Sequence, residues 1–145
     1  MPGDGKARSR EDARMSTAQA QQWKGSSFSI ERKQGKAAGT VILSLVGPFT
    51  ARDMYGKLTP VELKDMLRAQ AAPGEEAFTL QILDLTAVPY MDSFGLGMLM
   101  THYASCKNHG LKLVVAAASA RVLELMRLTK MDTIIPLAET VEAAE

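Results

Sequence analysis

One run in this sequence, AFTLQILDL at residues 77–85, is apolar on both of the faces that a strand would present. Successive side chains of a strand point to opposite sides of a sheet, so such a run has no face to turn toward water. A strand of this kind is stable only inside a sheet that is covered on both sides. The run therefore predicts a layered α/β domain.

The segments around this run give the order of the elements. FSIER at residues 28–32 and TVILSLVG at 40–47 are strand-like and flank the turn-forming KQGKAAG, which indicates an N-terminal hairpin. Helical and strand-like patterns then alternate, with later strands at LKLVVAAA (111–118) and TIIPL (133–137). This alternation favours parallel strands joined by right-handed crossovers. We predict a mixed sheet of four to five strands with about four helices.

Two helices after the hairpin have recognisable starts. Thr59 and Glu62 have the spacing of a capping box, and Ser119 precedes a helical pattern that runs to about Lys130. The helix that follows Thr59 is expected to end at Pro73. The sheet and its helices are expected to share one core that contains Ile42, Leu45, Leu80, Ile82, Leu99, Val114 and Leu125.

The first 26 residues differ in composition from the rest of the chain. They are rich in Gly, Ser, Ala, Gln and charge, which predicts a flexible tail at 1–26 and a folded domain at 27–145. Within this tail, a short helix is expected between Ser9 and Trp23 because Ser9 and Asp12 have N-cap and N3 spacing.

Composition excludes several classes of partner and compartment. With 17 Lys and Arg against 16 Asp and Glu, the chain offers no basic surface for a phosphate backbone, so nucleic acid is not an expected partner. No run approaches the ~20 apolar residues that cross a bilayer, so no membrane is expected either. The single cysteine, Cys106, cannot form an internal disulfide, which favours a reducing compartment. We expect the protein in the cytoplasm.

The stretch YMDSFGLGM at residues 90–98 joins the buried strand to a helix and places a hydroxyl between an acid and two glycines. A serine hydrolase would need a base near Ser93, but His102 lies nine residues further along the same helix, about 13 Å away at ~1.5 Å per residue. Met91 stands where a nucleophile elbow requires glycine. The sequence therefore predicts no catalytic residue here.

Metal and cofactor sites are also not predicted. His102 and His109 have no cysteine or acidic residue at ligand spacing, and we expect both histidines on the exposed face or end of a helix. Cys106 is expected to be half-buried in the same helix. Gly95 and Gly97 belong neither to a P-loop nor to a dinucleotide fingerprint. We therefore expect a protein that binds a partner rather than an enzyme.

A capping role explains part of this motif. Asp92 or Ser93 can accept hydrogen bonds from the free N–H groups at the start of the helix. Capping does not explain Gly95 and Gly97, because each glycine costs ~0.5–1 kcal/mol relative to alanine inside a helix. We therefore expect something to approach the helix backbone closely at these positions.

The stretch DLTAVPYMDSFGLGMLM (84–100), with GLKLVVAAASARVLELMRLTKMDTIIPL (110–137), resembles the STAS domain of bacterial anti-sigma factor antagonists, also called anti-anti-sigma factors. That family carries Asp-Ser-(Ser/Thr)-Gly-Leu-Gly, and a partner that is both a kinase and an anti-sigma factor phosphorylates the serine after the aspartate. The resemblance implies a STAS-like sandwich with Ser93 as the phosphorylation site. It also implies that the unphosphorylated protein sequesters the anti-sigma factor, frees sigma and so controls transcription.

The predicted partner-binding surface surrounds Ser93 and includes two residues of an earlier loop. Phe94, Met98 and Thr101 lie on one flank of the helix, which is either an exposed docking surface or covered by a neighbouring loop. The predicted partner-binding residues are Asp92, Phe94, Gly95, Leu96, Gly97, Met98, Thr50 and Asp53.

The sequence departs from the family pattern at two places. Phe94 stands where the family usually has Ser or Thr. GPFT at residues 47–50 replaces the family's Gly-Glu-Leu-Asp, so the acid that helps to dock the kinase is missing, and Asp53 is the nearest, displaced acid.

Two other interpretations use the same residues. A structural STAS subunit of a lipid-transport ATPase or of a stress-sensing complex would use Ser93 only to cap or pack, and the GPFT segment favours this alternative. A response-regulator receiver would use Asp84 as phosphoacceptor, but TVILSLVGPF offers no acidic pair for magnesium. A homodimer is compatible with the preferred interpretation.

Overall fold

The structure is a computed structural model, which describes residues 23–24, 28–54, 58–69, 73–74 and 77–145. Of the predicted tail it describes only Trp23–Lys24, which pair with Ile30 and Ser29 as a short antiparallel strand. The helix predicted between Ser9 and Trp23 lies otherwise outside the described residues.

One sheet runs through the described part of the chain, and its strands follow one another in chain order. The first three strands are antiparallel neighbours, whereas the third to sixth are parallel neighbours. The predicted hairpin and the mixed α/β class are confirmed. The strands are β1 (Trp23–Lys24), β2 (Ser29–Gln34), β3 (Thr40–Val46), β4 (Leu80–Ala87), β5 (Lys112–Ala116) and β6 (Leu137–Ala138).

Helices connect the parallel strands. Two of them follow β3, one follows each of β4 and β5, and a last short helix follows β6. A 3₁₀ turn at Met131–Thr133 precedes β6. The helices are α1 (Ala51–Met54), α2 (Pro60–Arg68), α3 (Ser93–Asn108), α4 (Ala120–Leu128) and α5 (Val141–Ala144).

The local start signals of the helices act as predicted. Thr59 Oγ1 accepts a hydrogen bond from Glu62 N at 3.1 Å, and Glu62 Oε1 accepts one from Thr59 N at 2.8 Å, which completes the capping box. Ser119 caps α4 by accepting from Val122 N. Helix α2 ends at Arg68, before the predicted Pro73, because Ala69 adopts a left-handed conformation that stops it.

The sheet has two covered faces, so the prediction of one shared core is wrong. Leu45 and Leu99 belong to the main core between the sheet and helices α1 to α4. Ile42 and Ile82 belong to a smaller core on the opposite face, which residues of α5 cover. Ile42 and Leu45 are three residues apart in β3, and an odd spacing along a strand places side chains on opposite faces.

The strand predicted at TIIPL (133–137) is also wrong in its position. The N–H groups of Ile134 and Ile135 donate to the carbonyl of Met131 at 3.0 and 2.9 Å, so they are used in a local turn. The parallel pairing with β5 begins only at Leu137. The four longer strands match the predicted number, and the two-residue edge strands β1 and β6 bring the sheet to six.

Candidate functional site

The serine motif, residues 92–97, lies after the end of β4 and includes the start of α3. Asp92 is the N-cap residue of α3, and its Oδ1 accepts a hydrogen bond from Gly95 N at 3.0 Å. Ser93 is the first helical residue, its side chain is exposed, and its hydroxyl makes no hydrogen bond to any described residue. Of the two candidate caps, Asp92 therefore performs this role, and the Ser93 hydroxyl is left unused by the fold.

The carboxylate of Asp92 also joins α3 to the loop after β3. Its Oδ2 accepts a hydrogen bond from Ala51 N, the first residue of α1, at 3.1 Å. The backbones of the two loops pair as well, since Phe49 N donates to Tyr90 O at 3.1 Å. The GPFT segment is thus fixed beside the serine motif even though it lacks the family's acidic residue.

The two glycines of the motif have different surroundings. A Cβ at Gly95 would collide with the backbone carbonyl oxygen of Phe49, so the expected close approach exists within the protein itself. A Cβ at Gly97 would meet nothing within 4 Å, and Gly97 is exposed. Packing therefore requires a glycine at position 95, whereas no described residue of this chain requires one at position 97.

The two predicted site residues of the earlier loop differ in exposure. Thr50 is buried at 7% exposure, and its Oγ1 accepts a hydrogen bond from Asp53 N at 3.1 Å. This contact caps the short helix α1. Asp53 is half-exposed on α1. The structure thus places Thr50 directly before α1 and Asp53 within it, beside Ala51, and of the two only Thr50 is buried.

The apolar residues around Ser93 are mostly covered. Leu96 is buried in the main core. Phe94 and Met98 are half-buried and pack against the same core, whereas Thr101 is exposed. Of the two alternatives for this flank, a fully exposed docking surface is therefore excluded, and Phe94 and Met98 offer only part of their surface to solvent.

The structure adds contacts between the segment before Ser93 and the start of α4 that the sequence did not predict. The Arg121 guanidinium, near the start of α4, lies over the ring of Tyr90, 4.9 Å from its centroid. Ser119 Oγ donates to the carbonyl of Pro89 at 3.3 Å, which ties the same two segments together. Arg121 forms no ion pair with any residue in the described ranges. Pro89 and Ser119 lie 30 residues apart, so no short-range sequence pattern predicts a contact between their segments.

Ser93 lies at the N-terminal end of α3, beside the carboxylate of Asp92. The start of the 16-residue helix α3 carries partial positive charge from its free N–H groups. Arg121 on α4 lies over Tyr90, three residues before Ser93, and the Asp92 carboxylate accepts hydrogen bonds from two backbone N–H groups. The helix start favours an anion beside Ser93.

The prediction that His102 lies on an exposed helix face is wrong. His102 is 1% exposed, and its Nε2 is hydrogen bonded to Gln81 Oε1. Burial lowers the pKa of His102 from 6.5 to about 4, so the ring is neutral at physiological pH. Cys106 is buried rather than half-buried, and burial raises the pKa of its thiol to about 11. Neither group lies near Ser93, because both project from later turns of α3.

Asp84, the candidate phosphoacceptor of the receiver interpretation, is engaged within the sheet. Its Oδ2 accepts a hydrogen bond from Ser44 Oγ at 3.1 Å, and its Oδ1 accepts one from Thr86 N at 3.0 Å. Among the described residues, no group of three His, Cys, Asp or Glu residues is arranged to hold a metal ion.

None of the helices in the described ranges has both the length and the apolar character that spanning a membrane requires.

Comparison with known proteins gives one family. The family model described as "STAS domain" matches residues 14–144. Among curated proteins, solute carrier family 26 member 10 from Mus musculus is 29% identical over 108 residues, which are 72% of this chain and 16% of that protein. The chain thus spans less than a fifth of the length of this relative.

Solved structures with the same fold include proteins of two kinds. An anti-sigma factor antagonist from Mycobacterium paratuberculosis has a TM-score of 0.62 at 23% identity, over 81% of this chain and 91% of that chain. The STAS domain of a SulP transporter from Vibrio cholerae has a TM-score of 0.55 at 21% identity, over 91% of both chains. At these identities the similarity establishes the fold alone.

Proposed function

Because the chain belongs to the STAS domain family, we propose that it is a regulatory binding protein that sequesters an anti-sigma factor with serine kinase activity. Capture of this partner by the unphosphorylated protein frees a sigma factor for transcription. Phosphorylation of Ser93 ends the capture. The anti-sigma factor antagonist from Mycobacterium paratuberculosis, which shares the fold, supports this choice of partner.

The observation that carries the proposal is the free hydroxyl of Ser93. Its side chain is exposed, while the neighbouring Asp92 supplies the helix cap. A kinase can therefore modify Ser93 without breaking a hydrogen bond that the fold needs. A serine that served only as a cap would have its hydroxyl engaged by the helix N–H groups.

The local charges indicate what a phosphate would do. It adds about −1.5 to −2 charges at the positive end of α3, where an anion is stabilised by ~0.3–2 kcal/mol. The fold should therefore remain intact after phosphorylation. At a protein interface the same charge would be desolvated close to Asp92 or to acids of the partner, and like charges there cost several kcal/mol. The switch acts on binding rather than on folding.

Gly97 extends the proposed interface along α3. It lies one helical turn after Ser93, on the same exposed flank. No described residue fills the space beside Gly97. A partner backbone that approaches there would explain why a glycine is present despite its cost to helix stability. In this proposal the half-exposed Asp53, Phe94 and Met98 form the edge of the interface.

The other residues predicted to bind the partner have structural roles within the protein in this proposal. Thr50, Gly95 and Leu96 are buried, so we assign them to positioning α1 and α3 rather than to contact with the partner. Asp92 belongs with them because its carboxylate holds both helix starts. Tyr90 and Arg121 join the proposed surface on its α4 side.

A second candidate function is a structural STAS subunit or domain of a membrane transport complex, or of a stress-sensing complex, without phosphorylation. The 29% identity to solute carrier family 26 member 10 and the fold shared with a SulP transporter domain favour it. The missing acid in GPFT also favours it. In that case Ser93 would be an exposed residue without a role in partner release.

A binding experiment separates the two candidates. The wild-type protein, Ser93→Ala and Ser93→Glu are immobilised, incubated with extract of the native cells with and without ATP, and the captured proteins are identified by mass spectrometry. We expect a protein with a serine kinase domain to be captured by the wild type and released on addition of ATP. Ser93→Ala should retain it in both conditions, and Ser93→Glu should bind it about tenfold more weakly, which corresponds to ~1.4 kcal/mol.

The matched control is Ala104→Glu. Residue 104 is exposed on α3 and lies eleven residues after Ser93, so the variant adds the same charge on a similar side of the helix but far from its start. This variant should bind like the wild type. Capture of transporter components by all four proteins, independent of ATP, would contradict the switch and support the second candidate.

A further inference from the structure

A cavity of about 270 Å³ opens beside the second half of α3, away from Ser93. Its walls include the half-buried apolar side chains of Phe78 and Leu111 and the buried face of α3 at His102 and Cys106. The volume is close to the lower limit of small-molecule sites, which are mostly apolar with a few fixed polar groups. Nothing in the proposed partner switch uses this cavity.

The hydrogen bonds behind the cavity fix the tautomer of His102. Gln81 Nε2 donates to the carbonyl of Leu67 at 2.8 Å, so the Gln81 amide must turn its oxygen toward His102. His102 therefore carries its proton on Nε2 and donates it to Gln81 Oε1, because two acceptors cannot pair. The other ring nitrogen, Nδ1, is left with a lone pair.

The Nδ1 atom of His102 has only a weak partner within the described protein. The Cys106 Sγ lies 4.0 Å away, and a thiol is a poor hydrogen-bond donor. A buried acceptor without a good donor is costly. A ligand with an O–H group that reaches Nδ1 from the cavity would supply the missing donor.

One cationic side chain, Arg68, is among the described residues that line the cavity. Arg68, at the end of α2, lines it and forms no ion pair with any residue in the described part of the chain. His109 lines it as well, with its Nδ1 bonded to the carbonyl of Ser105 at 2.8 Å. A guanidinium is well suited to hold a carboxylate through two parallel hydrogen bonds.

From these three features we propose that the cavity binds a small phenolic carboxylic acid. The aromatic ring lies between Phe78 and Leu111, the carboxylate pairs with Arg68, and the phenolic O–H donates to His102 Nδ1. Binding of the acid in this cavity does not depend on Ser93. It is therefore expected whether or not the partner of the protein is an anti-sigma factor.

The test uses the full chain and three related compounds. Backbone amide shifts are followed by NMR during titration with 3-(4-hydroxyphenyl)propionate, with 3-phenylpropionate, which lacks the hydroxyl, and with 4-ethylphenol, which lacks the carboxylate. We expect saturable shifts at Phe78, Ser105 and Leu111 with a Kd on the order of 1 mM or tighter for the first compound. The other two compounds should bind at least about fivefold more weakly, since each lacks one polar contact.

Two exposed arginines make a matched pair of variants. Arg68→Gln removes the proposed carboxylate partner and should weaken binding of the first compound at least about fivefold. Arg127→Gln, in the last turn of α4 and outside the cavity lining, should leave the affinity unchanged. Ser105→Trp should fill the cavity and abolish the shifts, whereas Ser93→Ala should bind normally.

Absence of saturable shifts, equal affinity for all three compounds, or equal loss in both arginine variants would overturn the proposal. None of these outcomes bears on Ser93. Failure of the switch would conversely leave the expected binding of the phenolic acid unaltered.

Discussion

Asp92 and Ala51 are 41 residues apart in the sequence and are joined by a hydrogen bond of 3.1 Å from the Ala51 N–H to Asp92 Oδ2. The other oxygen of the same carboxylate caps α3 through Gly95 N. One side chain therefore sets the starts of two helices that enclose the candidate phosphorylation site. The aspartate before the serine has a structural role that does not depend on any partner.

This role predicts the effect of Asp92→Ala. The variant leaves two backbone N–H groups without their acceptor, and loss of a helix cap costs ~0.5–2 kcal/mol. We expect a loss of free energy of unfolding near the upper end of this range in urea titrations. Hydrogen exchange of the Ala51 and Gly95 amides should accelerate together. Unchanged exchange at Ala51 would show that the bond between the two loops is not formed in solution.

Gly95→Ala should destabilise the protein because a Cβ at this position collides with the Phe49 carbonyl. Relief of the collision requires movement of α3 or of the loop before α1, and such overpacking costs ~1–3 kcal/mol. Urea unfolding measures this cost. A variant as stable as the wild type would mean that α3 lies further from the Phe49 carbonyl in solution.

Gly97→Ala should have the opposite effect on stability. A Cβ at this position meets nothing within 4 Å, so the variant gains only helix propensity, ~0.5–1 kcal/mol. Under the proposed function the same methyl group lies in the partner interface and should weaken binding, as measured by calorimetry. Greater stability with unaltered partner affinity would exclude Gly97 from the interface.

The buried His102 predicts a dependence of stability on pH. Its pKa is about 4 in the folded protein and near 6.5 in the unfolded chain, so the unfolded chain binds more protons between these values. The contribution to stability is fully present above about pH 6.5 and is lost as the pH falls through about pH 4. Between about pH 7.5 and about pH 5 the loss amounts to ~2 kcal/mol.

Urea titrations at these two pH values, with the wild type and His102→Gln, measure this contribution. The variant should lose ~2 kcal/mol less than the wild type over the same interval, because it has no ring to protonate. Equal losses in the two proteins would show that the pKa of His102 is not lowered in the folded protein.

The features that the sequence predicts correctly are those that depend on residues close together in the chain. The capping box of Thr59 and Glu62 and the cap at Ser119 depend on contacts three residues apart, and both form as predicted. The central strand around Ile82 was likewise evident from its apolar faces. The single-core prediction was wrong because it ignored the two-residue period of β3, which separates Ile42 from Leu45.

Contacts between distant segments were not predictable in this way. His102 has the spacing of a polar residue on a helix, and only the fold places Gln81 opposite it. The collision partner of Gly95 is a carbonyl group, which carries no sequence signal. The contact of Arg121 with Tyr90 depends on the adjacent order of β4 and β5. The candidate site is thus predictable in its serine motif but not in the residues that surround it.

The most direct test of the proposed switch is mass spectrometry of the wild-type protein after incubation with ATP and the kinase captured by it. We expect one phosphate, on Ser93, because this hydroxyl is exposed and is not needed for the helix cap. The phosphorylated protein should keep the melting temperature of the unmodified protein but no longer bind the kinase. Absence of phosphate from Ser93, or undiminished binding by the phosphorylated protein, would overturn the proposed switch.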